Sequence, residues 1–179
     1  MIIKNIKKIV LISILVFITS SFSIPKRIDT LIQKEIERTF NIKSFTIKPI
    51  DITNEINKQL PLKINNSNFK EITVNSKLLG YYYHGKAFGK VDYFDFLVIF
   101  DTNLVIKKIK ILIYREDRGS EIGSKRWLKQ FIGKSATNSF IYEKDIVGIS
   151  GATISAKSMT SKIDKLMQSI QILSKNKIL

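Results

Sequence analysis

Residues 148–155 read GISGATIS, with three hydroxyl side chains, Ser150, Thr153 and Ser155, set among Gly148, Gly151 and Ala152 directly before a stretch of helical spacing. Two kinds of chemistry need such a stretch. In the simpler one, glycine turns the chain and a serine or threonine caps the helix that follows. In the other, the loop receives a phosphate. The first amides of a helix lack backbone partners and carry a partial positive charge. Gly151 and Ala152 leave room for a phosphate to reach them, and Thr153 adds a hydroxyl to which a phosphate can be joined. These residues by themselves leave both readings open.

The rest of the composition narrows the chemistry. The chain has no cysteine and a single histidine, His84. Disulfides, thiolate metal sites, iron–sulfur ligation, c-type haem attachment and multi-histidine metal centres are thereby excluded. No nucleophile-elbow sequence accompanies the histidine, so no hydrolase triad is expected. No catalytic residue and no metal site is assigned. The working groups must be hydroxyls, carboxylates, backbone amides or a borrowed cofactor.

With 179 residues and a formal net charge of +15, the chain can bury one domain's core and still carry a targeting segment. The lysines are scattered rather than run together. They read as a solvated basic surface open to anionic lipid, a partner protein or a cofactor phosphate, and not as a nucleic-acid interface. Residues 1–23, MIIKNIKKIVLISILVFITSSFS, carry the order of an export signal: Lys4, Lys7 and Lys8, then an apolar run, then small residues. The run falls short of the roughly 20 residues that span a bilayer, but extended to Ile24 it could serve as an uncleaved anchor. Signal peptide and membrane anchor both remain, and both place the rest of the chain on the extracytoplasmic side, in the periplasm or on the outer face of the cytoplasmic membrane.

The elements around the loop follow from periodicity. In RIDTLIQKEIERTF (27–40), Ile28, Ile32 and Ile36 recur every four residues and predict an amphipathic helix. FTIKPIDI (45–52) alternates up to Pro49 and predicts an edge strand. Residues 54–74, polar and rich in asparagine, read as a surface connection. YFDFLVIF (93–100) and LVIKKIKILIY (104–114) flank Asp101, Thr102 and Asn103, which predicts an antiparallel hairpin. YYYHGKAFG (81–89) reads either as a ligand surface or as half-buried strand packing. Ser124 and Gly133 bracket a helix carrying Trp127 and Phe131, with Trp127 expected in the core. Met159, Ile163, Leu166 and Ile170 give residues 155–173 a helical stripe. The expectation is an α+β fold: a small antiparallel sheet packed with helices, as one domain after the signal or anchor. Its parts would be 1–23, signal or anchor; 24–76, N-terminal helix and connection; 77–173, the functional domain; and 174–179, a C-terminal tail.

The motif SGATIS resembles the flavinylation motif of the FMN-binding domain family, which includes the covalent-FMN subunits of the Rnf and Na⁺-pumping NADH:quinone oxidoreductase complexes. The likeness extends over FDFLVIFD, YREDRGSEIGSKRWLKQFIGK and SGATISAKSMTSKIDKLMQSI, from about Leu79 to Ile172. It implies an electron-transfer flavoprotein with FMN as cofactor and not a stand-alone substrate enzyme. It further implies that Thr153 carries FMN through a phosphoester, with Ser150, Gly151 and Ala152 forming the loop around it. Glu121, Ile122 and Gly123, flanked by Ser124 and Lys125, would lie near the flavin ring, where the residues alone equally allow a tight turn. A threonine hydroxyl is a poor nucleophile without a base, and none adjoins Thr153 in the sequence. The family accordingly implies a separate flavin transferase that takes FMN from FAD, and a membrane-bound redox partner. Six positions before the threonine, where the family usually has aspartate, this chain has Val147; the nearest acid upstream is Asp145. That departure keeps a second reading in play: a basic binding module of the same fold, without flavin, at the membrane surface.

Overall fold

The structure, a computed structural model, describes residues 23–179, and side chains from residue 27 onward. The signal or anchor segment lies outside the described residues apart from its last residue. Within them no helix is long and apolar enough to cross a membrane.

Five strands form one antiparallel sheet in sequential order: β1 (Thr46–Pro49), β2 (Phe69–Val74), β3 (Lys77–Phe88), β4 (Tyr93–Phe100) and β5 (Ile106–Ile113). Helix α1 (Ser23–Phe40) covers one face and α4 (Thr153–Lys175) the other; between them in sequence come two short helices, α2 (Asn54–Gln59) and α3 (Lys125–Leu128). The fold is α+β, as expected.

The two-sided cover explains the residue pattern of the central strands. On β4, Phe94, Phe96, Val98 and Phe100 enter the core that α4 seals with Met159, Ile163, Leu166 and Ile170. Their neighbours Leu97 and Ile99 enter a second core under α1, with Ile32, Ile36 and Tyr82. A strand buried on both faces reads as a continuous apolar run and not as an alternation. The three tyrosines divide in the same way: Tyr81 and Tyr83 point into the α4-side core, Tyr82 into the α1-side one, and all are buried. Packing, not a ligand surface, accounts for them.

The predicted hairpin is present as β4 and β5, with Asp101 Oδ1 accepting from the amides of Asn103 and Val105 to close the turn. The predicted edge strand is β1, and Pro49 occurs on the sheet's outer strand, where a missing N–H is tolerated. Residues 54–74 correct the sequence reading. They are not a surface connection: they contain α2 and β2, and Leu60, Ile64, Phe69 and Ile72 are buried. The sheet therefore continues on both sides of residue 77.

A fully buried carboxylate enters the α1-side face. Asp95 is fully buried, and its two oxygens meet His84 Nε2 at 2.8 Å and an Arg115 guanidinium nitrogen at 2.5 Å. Arg115 also donates to the Tyr93 carbonyl at 2.7 Å. A buried carboxylate costs several kcal/mol unless paired and hydrogen-bonded in this way. The pairing fixes the far end of β5 to the near end of β4.

Candidate functional site: the start of the last helix

Helix α4 begins at Thr153, two residues earlier than its apolar stripe predicts. Its N-cap is Ala152, which has no side chain able to cap, and no side-chain cap bond is made. The first helical backbone bond runs from the Ala156 amide to the Ala152 carbonyl. The amides of Thr153, Ile154 and Ser155 are thus left open at the positive end of a helix of 23 residues. Of the two readings left open for the GISGATIS stretch, the side-chain cap is not made. Thr153 is exposed, and no side chain among the described residues hydrogen-bonds to its hydroxyl.

Two glycines bring a second loop against this one. Gly151 (φ 82°) and Gly119 (φ 87°) both take the left-handed backbone region that favours glycine. A Cβ on Gly119 would stand 3.4 Å from the Gly151 carbonyl and 2.5 Å from the Tyr114 hydroxyl. A Cβ on Gly151 would stand 3.4 Å from Glu121 Oε2. At Gly119 a side chain would also overlap the Tyr114 hydroxyl, and at both positions the backbone conformation disfavours any other residue. Tyr114 locks the contact: its hydroxyl donates to the Arg118 carbonyl at 3.0 Å and lies 3.1 Å from the buried Ser155 Oγ.

The result is a cavity of about 310 Å³ lined by Lys90, Tyr114, Glu116, Arg118, Gly119 and residues 151–155. That volume is at the small end of ligand sites. Lys90 and Arg118 supply two cations beside the open amides and the Thr153 hydroxyl. The donors suit a phosphate: backbone N–H groups, a guanidinium and an ammonium. Ile154, which lines the cavity, is an exposed apolar side chain.

Of the residues singled out in the sequence, Gly151, Ala152 and Thr153 line the cavity. Ser150 is exposed in the loop just before it. Glu121 reaches Gly151 and is exposed, as is Gly123. Ile122 is wholly buried in the core between sheet and α4. Ser124 caps α3, accepting from the Trp127 amide at 3.4 Å, and Trp127 is a core residue packed edge-on to Phe131. Lys90, Tyr114, Glu116, Arg118 and Ser155 were not singled out as site residues. Arg118 directly precedes the glycine of the RGSEIG loop, and Lys90 sits in the Gly-Lys-Val-Asp turn of a hairpin; these were the only signals. Among the described residues, no group of three or more histidines, cysteines or carboxylates is placed to hold a metal.

No curated protein matches the chain. Residues 89–168 match a family model described as FMN-binding domain. The match runs from the β3–β4 turn, just before Lys90, through the Gly119 loop, and past Thr153 into α4, so it contains every residue that lines the cavity. This likeness of residues 89–168 to an FMN-binding domain supports FMN as the cofactor and suggests a flavin-binding, electron-transfer role.

Proposed function

We propose that this protein is an exported electron-transfer flavoprotein whose FMN is joined through its phosphate to Thr153. The observation that carries the reading is the unpartnered Thr153 hydroxyl at the uncapped start of α4, between Lys90 and Arg118. FMN, when bound, supplies the one- and two-electron chemistry. The chain's own residues have simpler tasks. The open amides of α4 and the two cations hold the phosphate, Gly119 and Gly151 allow it to approach, and the exposed Ile154 side chain offers the ring an apolar edge.

The single histidine does not serve Thr153 as a base. His84 is engaged with Asp95 on the α1 face of the sheet, away from the Thr153 loop. A flavin transferase is therefore the proposed partner. In that step the Thr153 oxygen forms a new bond to the phosphorus of the FMN half of FAD, the bond to AMP breaks, and the hydroxyl proton passes to a base on the transferase. A tether is useful outside the cytoplasm, where a loosely held flavin is lost by dilution. Export rests on residues 1–23, and a membrane-bound redox partner goes with it. The decisive experiment is intact-mass measurement of the chain co-produced with a flavin transferase: one added FMN, mapped to the peptide containing Thr153, is expected. An unmodified chain beside a modified control substrate defeats the covalent link.

One observation favours the second reading, a flavin-free basic module at the membrane surface. Val147 holds the place usual for aspartate, and its side chain is 69% exposed, so nothing in the packing requires valine there. Protein purified from its native host without a flavin absorption band would establish that reading.

A further inference from the structure

A carboxylate in a phosphate site needs a reason, because it repels the ligand. Glu116 is such a residue: it lines the cavity with Lys90, Arg118 and Thr153. It points at the tip of the β3–β4 hairpin. Its Oε1 accepts from the amide of Val91 at 2.8 Å and of Asp92 at 3.1 Å. The same oxygen stands 2.2 Å from where a Cβ on Gly89 would be, so the turn is built around the carboxylate. These amide bonds, above all, hold the Glu116 carboxyl below the usual glutamate range and keep it charged.

The two residues before it act on either side of the sheet, Tyr114 at the cavity and Arg115 behind it. Tyr114 ties the Arg118 carbonyl to Ser155 at the start of α4. Arg115, on the opposite face, ties the Tyr93 carbonyl to buried Asp95. The hairpin tip is thus gripped from both sides, by Arg115 behind Tyr93 and by Glu116 inside the turn. Lys90 lies within that grip. Successive backbone amides in a turn form an anion-binding concavity of their own. Left empty, the amides at 91 and 92 would compete with α4 for a phosphate.

We propose that Glu116 is the positioning residue of the site: it fills the amide concavity at the β3–β4 turn, aims Lys90 into the cavity, and so directs the phosphate to the α4 start beside Thr153. The proposal rests on the reading that this cavity takes the FMN phosphate. It assigns to Glu116 a task that a glutamine can perform in part, since an amide oxygen also accepts from two N–H groups.

The test uses the full exported chain, without flavin, titrated with inorganic phosphate and followed by amide NMR. In the wild type, phosphate is expected to shift the Thr153, Ile154 and Ser155 amides and to leave Val91 and Asp92 in place. In Glu116→Ala the shifts move to Val91 and Asp92, and loading by the transferase slows about tenfold or more, as misplacement of a reacting group does. Glu116→Gln recovers the wild-type footprint and most of the loading, which separates positioning from charge. Wild-type-like footprints and loading in Glu116→Ala overturn the proposal. So does a Glu116→Gln footprint on Val91 and Asp92, which decides the matter should the alanine variant not fold. A wild-type chain that takes up no FMN defeats the covalent reading alone, because the phosphate footprint is read on the unloaded protein.

Discussion

Trp127 Nε1 donates to the Val147 carbonyl at 2.8 Å, across 20 residues of chain. Gln130 completes the hold: its side-chain oxygen accepts from the Val147 amide at 2.7 Å and its nitrogen donates to the same carbonyl at 3.3 Å. The backbone at 147 is therefore fixed by α3 and the turn after it, while the side chain faces solvent. The strand of chain leading to the Thr153 loop is positioned by its main chain, and the residue type at 147 is free to vary.

From this follows the first prediction. Val147→Asp leaves stability within about 0.5 kcal/mol, as for a surface change that touches no buried contact. Arg126 lines the same shallow depression and gives the new carboxylate a neighbouring cation. If the transferase reads an acid at this position, flavin loading rises. The measurement is loaded fraction against time by intact mass, and equal loading curves for the two proteins remove Val147 as a limitation.

A second prediction concerns the lock between the two loops. Tyr114→Phe removes the hydroxyl that joins Arg118 to Ser155 and leaves a buried serine without that partner. The expected cost is about 1–2 kcal/mol, the range for a lost hydrogen bond with a stranded buried group. Chemical denaturation gives the number. A parallel loss of flavin loading is expected, because the Gly119 and Gly151 loops are no longer held together at the cavity.

The tyrosines set an alkaline limit. Burial pushes Tyr83 up to about 12, and burial together with the Asp29 carboxylate does the same for Tyr82. Their folded values lie above the unfolded value near 10, so the stability they carry is complete below pH 10 and is lost as pH rises toward 12. Each contributes a fall of up to about 1.4 kcal/mol per pH unit in that window. Denaturant midpoints between pH 8 and 11.5, with phenolate absorbance followed in parallel, test this. A flat midpoint above pH 10 counts against it.

What the sequence made legible, and what it did not, divides by how local the cause is. α4 could be read because Met159, Ile163, Leu166 and Ile170 repeat within one helix. The β4–β5 hairpin could be read because Asp101 closes its own turn. The segment at 54–74 could not. α2 is six residues long with none of them buried, and β2 is a strand only because it pairs with β3 across a register shift at Ile72 and Thr73. The site divides similarly. Gly151, Ala152 and Thr153 announce themselves as a loop before a helix. Lys90 and Arg118 reach that loop only through the pairing of β3 with β4 and the contact between two glycines. No spacing in the chain encodes that meeting. Ile122, placed near the ring by resemblance, is drawn into the core by the 3-10 turn Ser120–Gly123.

The last prediction concerns the hydroxyls of the GISGATIS stretch. Thr153→Ala is expected to abolish the adduct, read as loss of in-gel flavin fluorescence after denaturation. Because Thr153 follows the cap position and its side chain makes no cap bond, the same change should move stability by less than about 0.5 kcal/mol. Loss of loading without loss of fold is the signature of an attachment residue and not of a helix cap, for which Ala costs about 1 kcal/mol. Thr153→Ser keeps the nucleophilic oxygen at the same place and should retain some loading. Ser155 is no substitute: it is 3% exposed and its oxygen faces Tyr114. Ser150 is exposed but precedes Gly151, outside the residues that line the cavity. Flavin found on Ser150 or Ser155 in the Thr153→Ala chain would place the attachment elsewhere in the loop, and an unchanged adduct would remove Thr153 from the site altogether.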